Sequence, residues 1–231
     1  MILVWTWTKR VLATLIVLFI LLQAWYLGCI VLWKFVNPSQ SNFMEIRLDE
    51  LHEKNPQAKL KQQWVPYERI SPNLKRAVIA AEDAKFPDHE GFDWEGIQKA
   101  LVKNQKKGKI VAGGSTITQQ LAKNLFLSAS KTRWRKGQEA IITLMLEAVL
   151  DKPRILEIYL NVAEWGNGVF GAEAAAQHYY RVSAARLSAD QSAHLAVMLP
   201  NPRRFERIPN SPYLATRSRI ITNRMGDVEL P

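Results

Sequence analysis

The chain has 231 residues, 48% of them hydrophobic, with Gly and Pro at 11 each; this excludes a disordered or fibrous chain and fits one globular domain with an appendage. The formal net charge is +10, and only Lys9, Arg10 and Lys34 of it fall in the acid-free first 36 residues, so the rest is basic in its own right and calls for an anionic partner: nucleic acid, anionic lipid or a phosphorylated substrate. Cys29 is the only cysteine, which excludes an intrachain disulfide and a cysteine-built zinc site.

Val11 to Trp33 carries no charge, and Thr14 and Gln23 are its notable polar residues. As a helix it would be roughly 34 Å long, against roughly 30 Å of hydrocarbon. Lys9 and Arg10 precede it, Trp7 and Trp33 mark its ends, and no small-x-small cleavage site follows. Residues 11–33 therefore read as an uncleaved transmembrane anchor rather than a signal peptide, and the positive-inside rule puts residues 1–10 in the cytoplasm and the rest outside. Residues 34–68 are polar and broken by Asn37-Pro38 and Asn55-Pro56, and read as a linker and approach segment.

From 69 to 231 the signals are helical. Ser71-Pro72 reads as an N-cap with Pro at the first helical position, and Leu74, Ala77, Val78 and Ala81 mark one apolar face. Gly113-Gly114-Ser115 leads into a helix over Thr116 to Leu127, and Trp134 to Leu150 forms a longer amphipathic one. Pro153 opens another, to about Asn161; Gly166-Asn167-Gly168 is a turn; Gly171 to Tyr180 is helical. Ser188-x-x-Gln191 is a capping box before His194 to Leu199, Pro200-Asn201-Pro202 stops that helix, and Arg217 to Met225 reads as the last one. No hairpin dipeptide is recognised between alternating runs, so strand signals are poor and the domain is mainly α.

Three features carry chemistry. Glu82 follows Val78 by four and extends the apolar stripe, so its carboxylate is expected to be desolvated, with a raised pKa suited to a general base or acid. The bland alternative is an ion pair that caps the structure. Lys99 to Lys136 holds ten Lys or Arg and no Asp or Glu, with the Gly-rich turn in its middle. A helix N-terminus there offers backbone N–H groups to an anion, and Thr116, Gln119 and Lys123 share one face, an arrangement suited to a phosphate or pyrophosphate; the alternative is a basic face on lipid headgroups. No Gly-Lys-Ser/Thr follows, so it is not a P-loop. Glu139 ends the acid-free run one turn after Arg135 and Lys136 and shares a face with Ile142 and Leu146, so it also points inward, unless it serves only as a salt-bridge partner of Arg135.

These residues fall into motifs. Glu82-Asp83-x-x-Phe86-x-x-His89-x-Gly91-x-Asp93, Gly113-Gly114-Ser115-Thr116-Ile117-Thr118-Gln119-Gln120-Leu121-x-Lys123-Asn124, Arg135-Lys136-x-x-Glu139 and Arg154-Ile155-Leu156-Glu157-x-Tyr159-Leu160-Asn161, in that order and followed by a looser match over Leu187 to Arg203, resemble the bacterial peptidoglycan glycosyltransferases of the monofunctional type. The resemblance covers roughly residues 65 to 205 and implies a lysozyme-like, mostly helical glycosyltransferase domain, here 69–231, with a mobile membrane-facing region. It also implies lipid II and a growing glycan strand as substrates, membrane lipids and cell-division or cell-wall synthesis proteins as partners, and a place on the periplasmic side of the bacterial inner membrane. Glu82 would be the general base, and Glu139 would act on the pyrophosphate side. Asp83, Ser115, Thr116, Gln119, Gln120, Lys123, Lys131, Arg135 and Lys136 would line the substrate site. A divalent cation, Mg or Mn, would fit at the pyrophosphate. Relatives often carry Arg where Lys131 stands, and lysine cannot form the same bidentate fork. His89 is expected to cap or pack within its loop.

Rival readings are a glycan-cleaving muramidase or lytic enzyme, which the basic stretch disfavours, and an inactive cell-division scaffold, which the intact glutamates disfavour. A bifunctional penicillin-binding protein matches only at Ser128-x-x-Lys131, with no Lys-Thr-Gly and too little chain for a transpeptidase domain. A nucleic-acid partner is not expected, because no DNA-reading motif accompanies the charge.

Overall fold

The computed structural model describes residues 2–109, 113–130 and 132–231. Helix α1 (Ile2–Trp33) is followed by α2 (Asn42–His52), a two-residue strand β1 (Lys61–Gln62), then α3 (Pro72–Glu82) and α4 (Trp94–Lys107). Helices α5 (Ile117–Phe126), α6 (Arg133–Val149) and α7 (Lys152–Val162) come next, then strands β2 (Glu164–Gly166) and β3 (Val169–Phe170). Helices α8 (Ala172–Tyr180), α9 (Ala189–Met198), α10 (Pro202–Arg207) and α11 (Pro212–Arg224) complete the chain. The domain is mainly α, as the sequence implied.

Local chemistry explains where the helices begin. The Ser71 hydroxyl accepts from Asn73 N at the start of α3, and Thr116 with Gln119, and Ser188 with Gln191, close reciprocal capping boxes on α5 and α9. Three helices were not foreseen, although their signals are of the same kind. Ser41 caps α2, and Asp93 caps α4, which ends on the left-handed Gly108 after Lys106 and Lys107. Pro202 opens α10 at its first turn, so the Pro-Asn-Pro run both stops one helix and starts the next. Helix α11 starts at Pro212, a turn and more before the expected Arg217, on a Ser211-Pro212 pair like that of Ser71-Pro72. The Gly166–Gly168 turn joins β2 to antiparallel β3, with Gly168 at φ +72°, so Asn167-Gly168 is a hairpin dipeptide after all. Strand β1 adds in parallel to β3 to give the order β1-β3-β2.

Helix α3 packs on α9, α9 on α11, and α5 on both α6 and α7. Their facing sides bury Leu74, Val78, Ile117, Leu121, Ile142, Leu146, Leu156 and Leu195 in one core, closed towards the hairpin by Trp165 and Phe170. Residues 42–52, expected in an approach segment, instead lay α2 across α5. The Arg47 guanidinium forks onto the Glu164 carboxylate, Nε at 2.9 Å and Nη2 at 3.0 Å, tying α2 to the hairpin.

Helix α1 has a run from Trp7 to Trp33 of mean hydropathy 2.5, long and apolar enough to cross a membrane. It is not a loose tether. Phe19, Gln23, Tyr26, Ile30 and Trp33 form one stripe at three- and four-residue spacing, and that stripe meets the domain. Phe19 packs on Trp134, and Tyr26 and Trp33 both pack on Phe126, with ring centroids 4.8–5.9 Å apart. Gln23 Nε2 donates to Gln138 Oε1 at 2.9 Å. At the helix end, where backbone carbonyls lack partners, Arg154 supplies them. Its Nε and Nη2 donate to Trp33 O at 2.9 and 2.8 Å, its Nη2 also to Val36 O at 3.0 Å, and its Nη1 to Glu157 Oε1 at 2.8 Å.

Arg154→Ala strips those carbonyls of their donor and leaves Glu157 without its cation. Thermal unfolding of the detergent-solubilised full chain is expected to show a loss of about 2 kcal/mol, with Arg154→Lys recovering only part, because an ammonium cannot make the fork.

Candidate active site

Helix α3 delivers Glu82 as its last residue, and the next residue anchors the junction. Asp83 Oδ2 accepts from the backbone N–H of Ile117 at 3.0 Å, and its Oδ1 lies 2.9 Å from His89 Nε2. His89 Nδ1 accepts from Gly91 N at 3.1 Å, so the ring proton sits on Nε2 and is donated to Asp83. His89 therefore holds its loop, as expected, and the end of α3 is pinned to the start of α5. Asp83 is buried with both oxygens engaged, so it does not face a substrate.

The start of α5 differs from the expectation of free backbone donors for an anion. Thr116 N donates to Gln119 Oε1, Ile117 N to Asp83, and Gln119 N to Thr116 Oγ1. The Thr116 hydroxyl is spent on Gly91 O at 2.7 Å. The Thr116, Ile117 and Gln119 amides are thus engaged within the fold. The Gly-rich turn has a packing reason instead: a Cβ on Gly114 would come within 3.0 Å of Ile97 Cα on α4.

One turn into α5, Gln120 Nε2 donates to Glu82 Oε2 at 2.6 Å, and Tyr159 from α7 donates its hydroxyl to Gln120 Oε1 at 3.0 Å. Burial pushes the Glu82 carboxyl above the usual carboxylate range; the Gln120 hydrogen bond and the Lys123 and Arg217 charges pull the other way, while Asp83 adds to the rise. Lys123 sits one turn beyond Gln119 and Gln120, makes no hydrogen bond among the described residues, and has its pKa lowered chiefly by burial. The opposite wall is the first turns of α6. There Glu139 is buried, with Arg135 Nη1 on one carboxylate oxygen and Lys136 Nζ on the other. Lys136 also reaches the exposed Ser115 hydroxyl at 3.4 Å.

These walls enclose a cavity of about 440 Å³ lined by Glu82, Ser115, Gln119, Gln120, Lys123, Arg135, Lys136 and Glu139, closed by Phe43, Leu199 and Pro200. A second cavity of about 320 Å³ adjoins it across Phe43, Gln120, Lys123, Leu199 and Pro200, and is walled by Arg47, Tyr159, Glu164, Asn201 and Arg203. Ten of the eleven residues expected at the site are thus placed. Eight line the cleft, and Asp83 and Thr116 serve the α3–α5 junction behind it. Lys131 lies outside the described residues. Phe43 and Arg47 were missed because α2 was read as linker, although Ser41 marks that helix. Tyr159 was quoted in a motif without a role, since only the fold reveals its partner. Asn161 of the same motif is structural: its side chain exchanges two hydrogen bonds of 2.8 Å with the Val65 backbone.

Among the described residues no three His, Cys, Asp or Glu side chains gather as a metal-ligand set. The Glu139 oxygens are already held by Arg135 and Lys136, so among the described residues the carboxylates present no ready seat for a divalent cation.

A desolvated carboxylate facing a cluster of cations across a cleft is suited to activating a hydroxyl and stabilising an anionic leaving group. The transglycosylase family model matches residues 49–226. The chain is 63% identical over 225 residues to a biosynthetic peptidoglycan transglycosylase of Dechloromonas aromatica, covering 97% of each chain. It is 61% identical over 222 residues to that of Chromobacterium violaceum (96% and 97% covered) and 60% over 225 to that of Laribacter hongkongensis (97% and 99%). The chain therefore belongs to the transglycosylase family, the peptidoglycan glycosyltransferases, and its helical domain is the lysozyme-like one that the motifs implied.

The two glutamates should respond oppositely to removal. Glu82 has its pKa raised in the fold, so its charge works against folding. Between about pH 4.3 and its raised value the native state binds the extra proton, and stability falls as pH rises through that window. Glu82→Gln is expected to raise the melting temperature at neutral pH and to leave it unchanged below that window. Glu139→Ala, which leaves Arg135 unpaired, is expected to cost about 3 kcal/mol. Melting curves of both variants between pH 4 and 8 check the contrast.

Proposed function

We propose that this enzyme polymerises lipid II into glycan strands, with the glycan on undecaprenyl pyrophosphate as donor and the 4-hydroxyl of lipid II as acceptor. The observation that carries this reading is the half-buried Glu82 carboxylate sharing one cavity with Lys123, Arg135 and Lys136. Glu82 takes the acceptor hydroxyl proton as the oxygen attacks the donor anomeric carbon. The bond from that carbon to the pyrophosphate oxygen breaks, its electron pair leaves with undecaprenyl pyrophosphate, and the centre inverts from α to β. Lys123, Arg135 and Lys136 offset the charge that develops on the leaving oxygen, where a preset cation in a cleft lowers the barrier. Glu139 holds two of those cations in place, and Gln119 and Ser115 lie where they contact the substrate. The adjoining cavity supplies room for further sugar units.

Residues 1–10 then lie in the cytoplasm, 11–33 span the inner membrane, and 69–231 work at its periplasmic face. Helix α6, which carries the cation wall, is the helix that Gln23 and Phe19 of the anchor grip. A substrate whose lipid tail sits in the same bilayer would present its pyrophosphate at that wall. Cell-division or cell-wall synthesis proteins are the partners this place suggests.

A muramidase would need Glu82 protonated to donate to a leaving oxygen. Gln120 donates to Glu82, which favours the ionised acceptor form and hence the base. The test is polymer formation from lipid II by the solubilised protein. Glu82→Gln is expected to abolish it, and the acid limb of kcat/KM to lie above the ordinary glutamate value of about 4.3. Polymer made at full rate by Glu82→Gln would count for a scaffold whose glutamate has another purpose.

A further inference from the structure

We propose that Tyr159 is a positioning residue for catalysis: through Gln120 it fixes which face of an amide Glu82 meets, and so holds Glu82 as a proton acceptor. The inference rests on the reading of Glu82 as the base. A glutamine side chain can turn either its oxygen or its NH₂ towards a neighbour, and the hydrogen-bond network decides which. Tyr159 is 1% exposed, and its hydroxyl has a single hydrogen-bond partner among the described residues, Gln120 Oε1 at 3.0 Å. A phenol has one proton to give. Burial, with the Glu82 and Asp83 charges, keeps the Tyr159 pKa well above its ordinary value, so that proton stays on at working pH. Donation to Oε1 leaves Nε2 pointing at Glu82 Oε2, 2.6 Å away. Turning the amide round would strand the buried phenol proton and oppose two oxygens at the carboxylate, and an unmet buried donor is costly.

The polarity therefore runs one way, from Tyr159 to Gln120 to Glu82. An ionised Glu82 accepts from that amide; a protonated one would meet an N–H where its own proton needs an acceptor. The relay thus counters burial, which favours the protonated form. The other charged groups facing Glu82 are Asp83 beside it, Lys123 on α5 and Arg217 on α11, with Glu139, Arg135 and Lys136 of α6 on the far wall of the cavity. None of them contacts Tyr159 Oη or Gln120 Oε1 by a hydrogen bond among the described residues, so removing the hydroxyl perturbs the relay alone. Without that hydroxyl the amide is released to turn, its oxygen accepts from protonated Glu82, and the acid form gains.

The experiment measures lipid II polymerisation by the full-length solubilised chain from pH 4 to 8 for Tyr159→Phe, Gln120→Leu, their combination, and Glu82→Gln. Tyr159→Phe is expected to move the acid limb up by about half a unit to one unit, whatever its effect on the plateau rate. Gln120→Leu is expected to move it at least as far, and adding Tyr159→Phe to Gln120→Leu to move it no further, since the hydroxyl then has nothing to set. A rate lowered equally at every pH with the limb in place overturns the proposal, as does a Tyr159→Phe shift that persists in the Gln120→Leu background. Should Tyr159→Phe fail to fold, an unmoved limb in folded Gln120→Leu overturns it equally. Loss of polymer in Glu82→Gln beside an unmoved limb sinks this inference alone, whereas polymer retained in Glu82→Gln sinks the reading of the base as well.

Discussion

A single carboxylate, that of Asp83, sets the geometry of the cleft. It bonds the Ile117 amide at the start of α5 and the His89 ring of the loop that follows α3. The end of one helix and the start of another are thereby held together. Because α3 ends at Glu82 and α5 carries Gln120 and Lys123 one and two turns in, the junction sets carboxylate, amide and cation around a common space. Thr116 strengthens it by bonding Gly91 O, from the same loop that His89 braces. Asp83, expected in the substrate site, is the residue that holds the two helices bearing the cleft's side chains.

The cleft's electrostatics follow from that frame. Three cations face two carboxylates, and the carboxylates are treated differently. Glu139 is enclosed by Arg135 and Lys136, while Glu82 meets one neutral amide and a cation without a direct bond. Desolvation acts on a carboxylate in proportion to how little compensates it. Glu139 is thus held between two cationic side chains, whereas burial leaves Glu82 with a raised proton affinity. This division of labour fits glycosyl transfer to a hydroxyl with loss of a diphosphate, where one site must take a proton and another must tolerate negative charge.

Much of this was legible in the sequence, for identifiable reasons. Inward placement of Glu82 and Glu139 follows from the helical period, and the capping boxes of α5 and α9 follow from residue type and spacing alone. The membrane-length helix α1 follows from apolar length. Four kinds of feature were not legible. The Ile117 amide at the start of α5 looks available in sequence, and only the long-range bond to Asp83 shows that it is engaged. Helices α2 and α4 carried caps and α10 a first-turn proline, but polar composition and neighbouring prolines masked them. Tyr159 could be counted as part of an apolar helix face, yet its hydroxyl acquires meaning only when α7 is laid against α5. On α1, the face made by Phe19, Gln23, Tyr26, Ile30 and Trp33 is not singled out by an apolar sequence, and it emerges only when Phe126, Trp134 and Gln138 are brought to it.

The central claim is that Glu82 carries an unusually high proton affinity beside an uncommitted cation. Carbon-13 NMR of glutamate carboxyls in the full-length protein, with Glu82 assigned by its absence in Glu82→Gln, reads that affinity directly. The account predicts a midpoint above the ordinary value of about 4.3, and a further rise in Lys123→Ala, because removing the ammonium removes attraction for the charged form. A midpoint at or below the ordinary value, indifferent to Lys123, would contradict it.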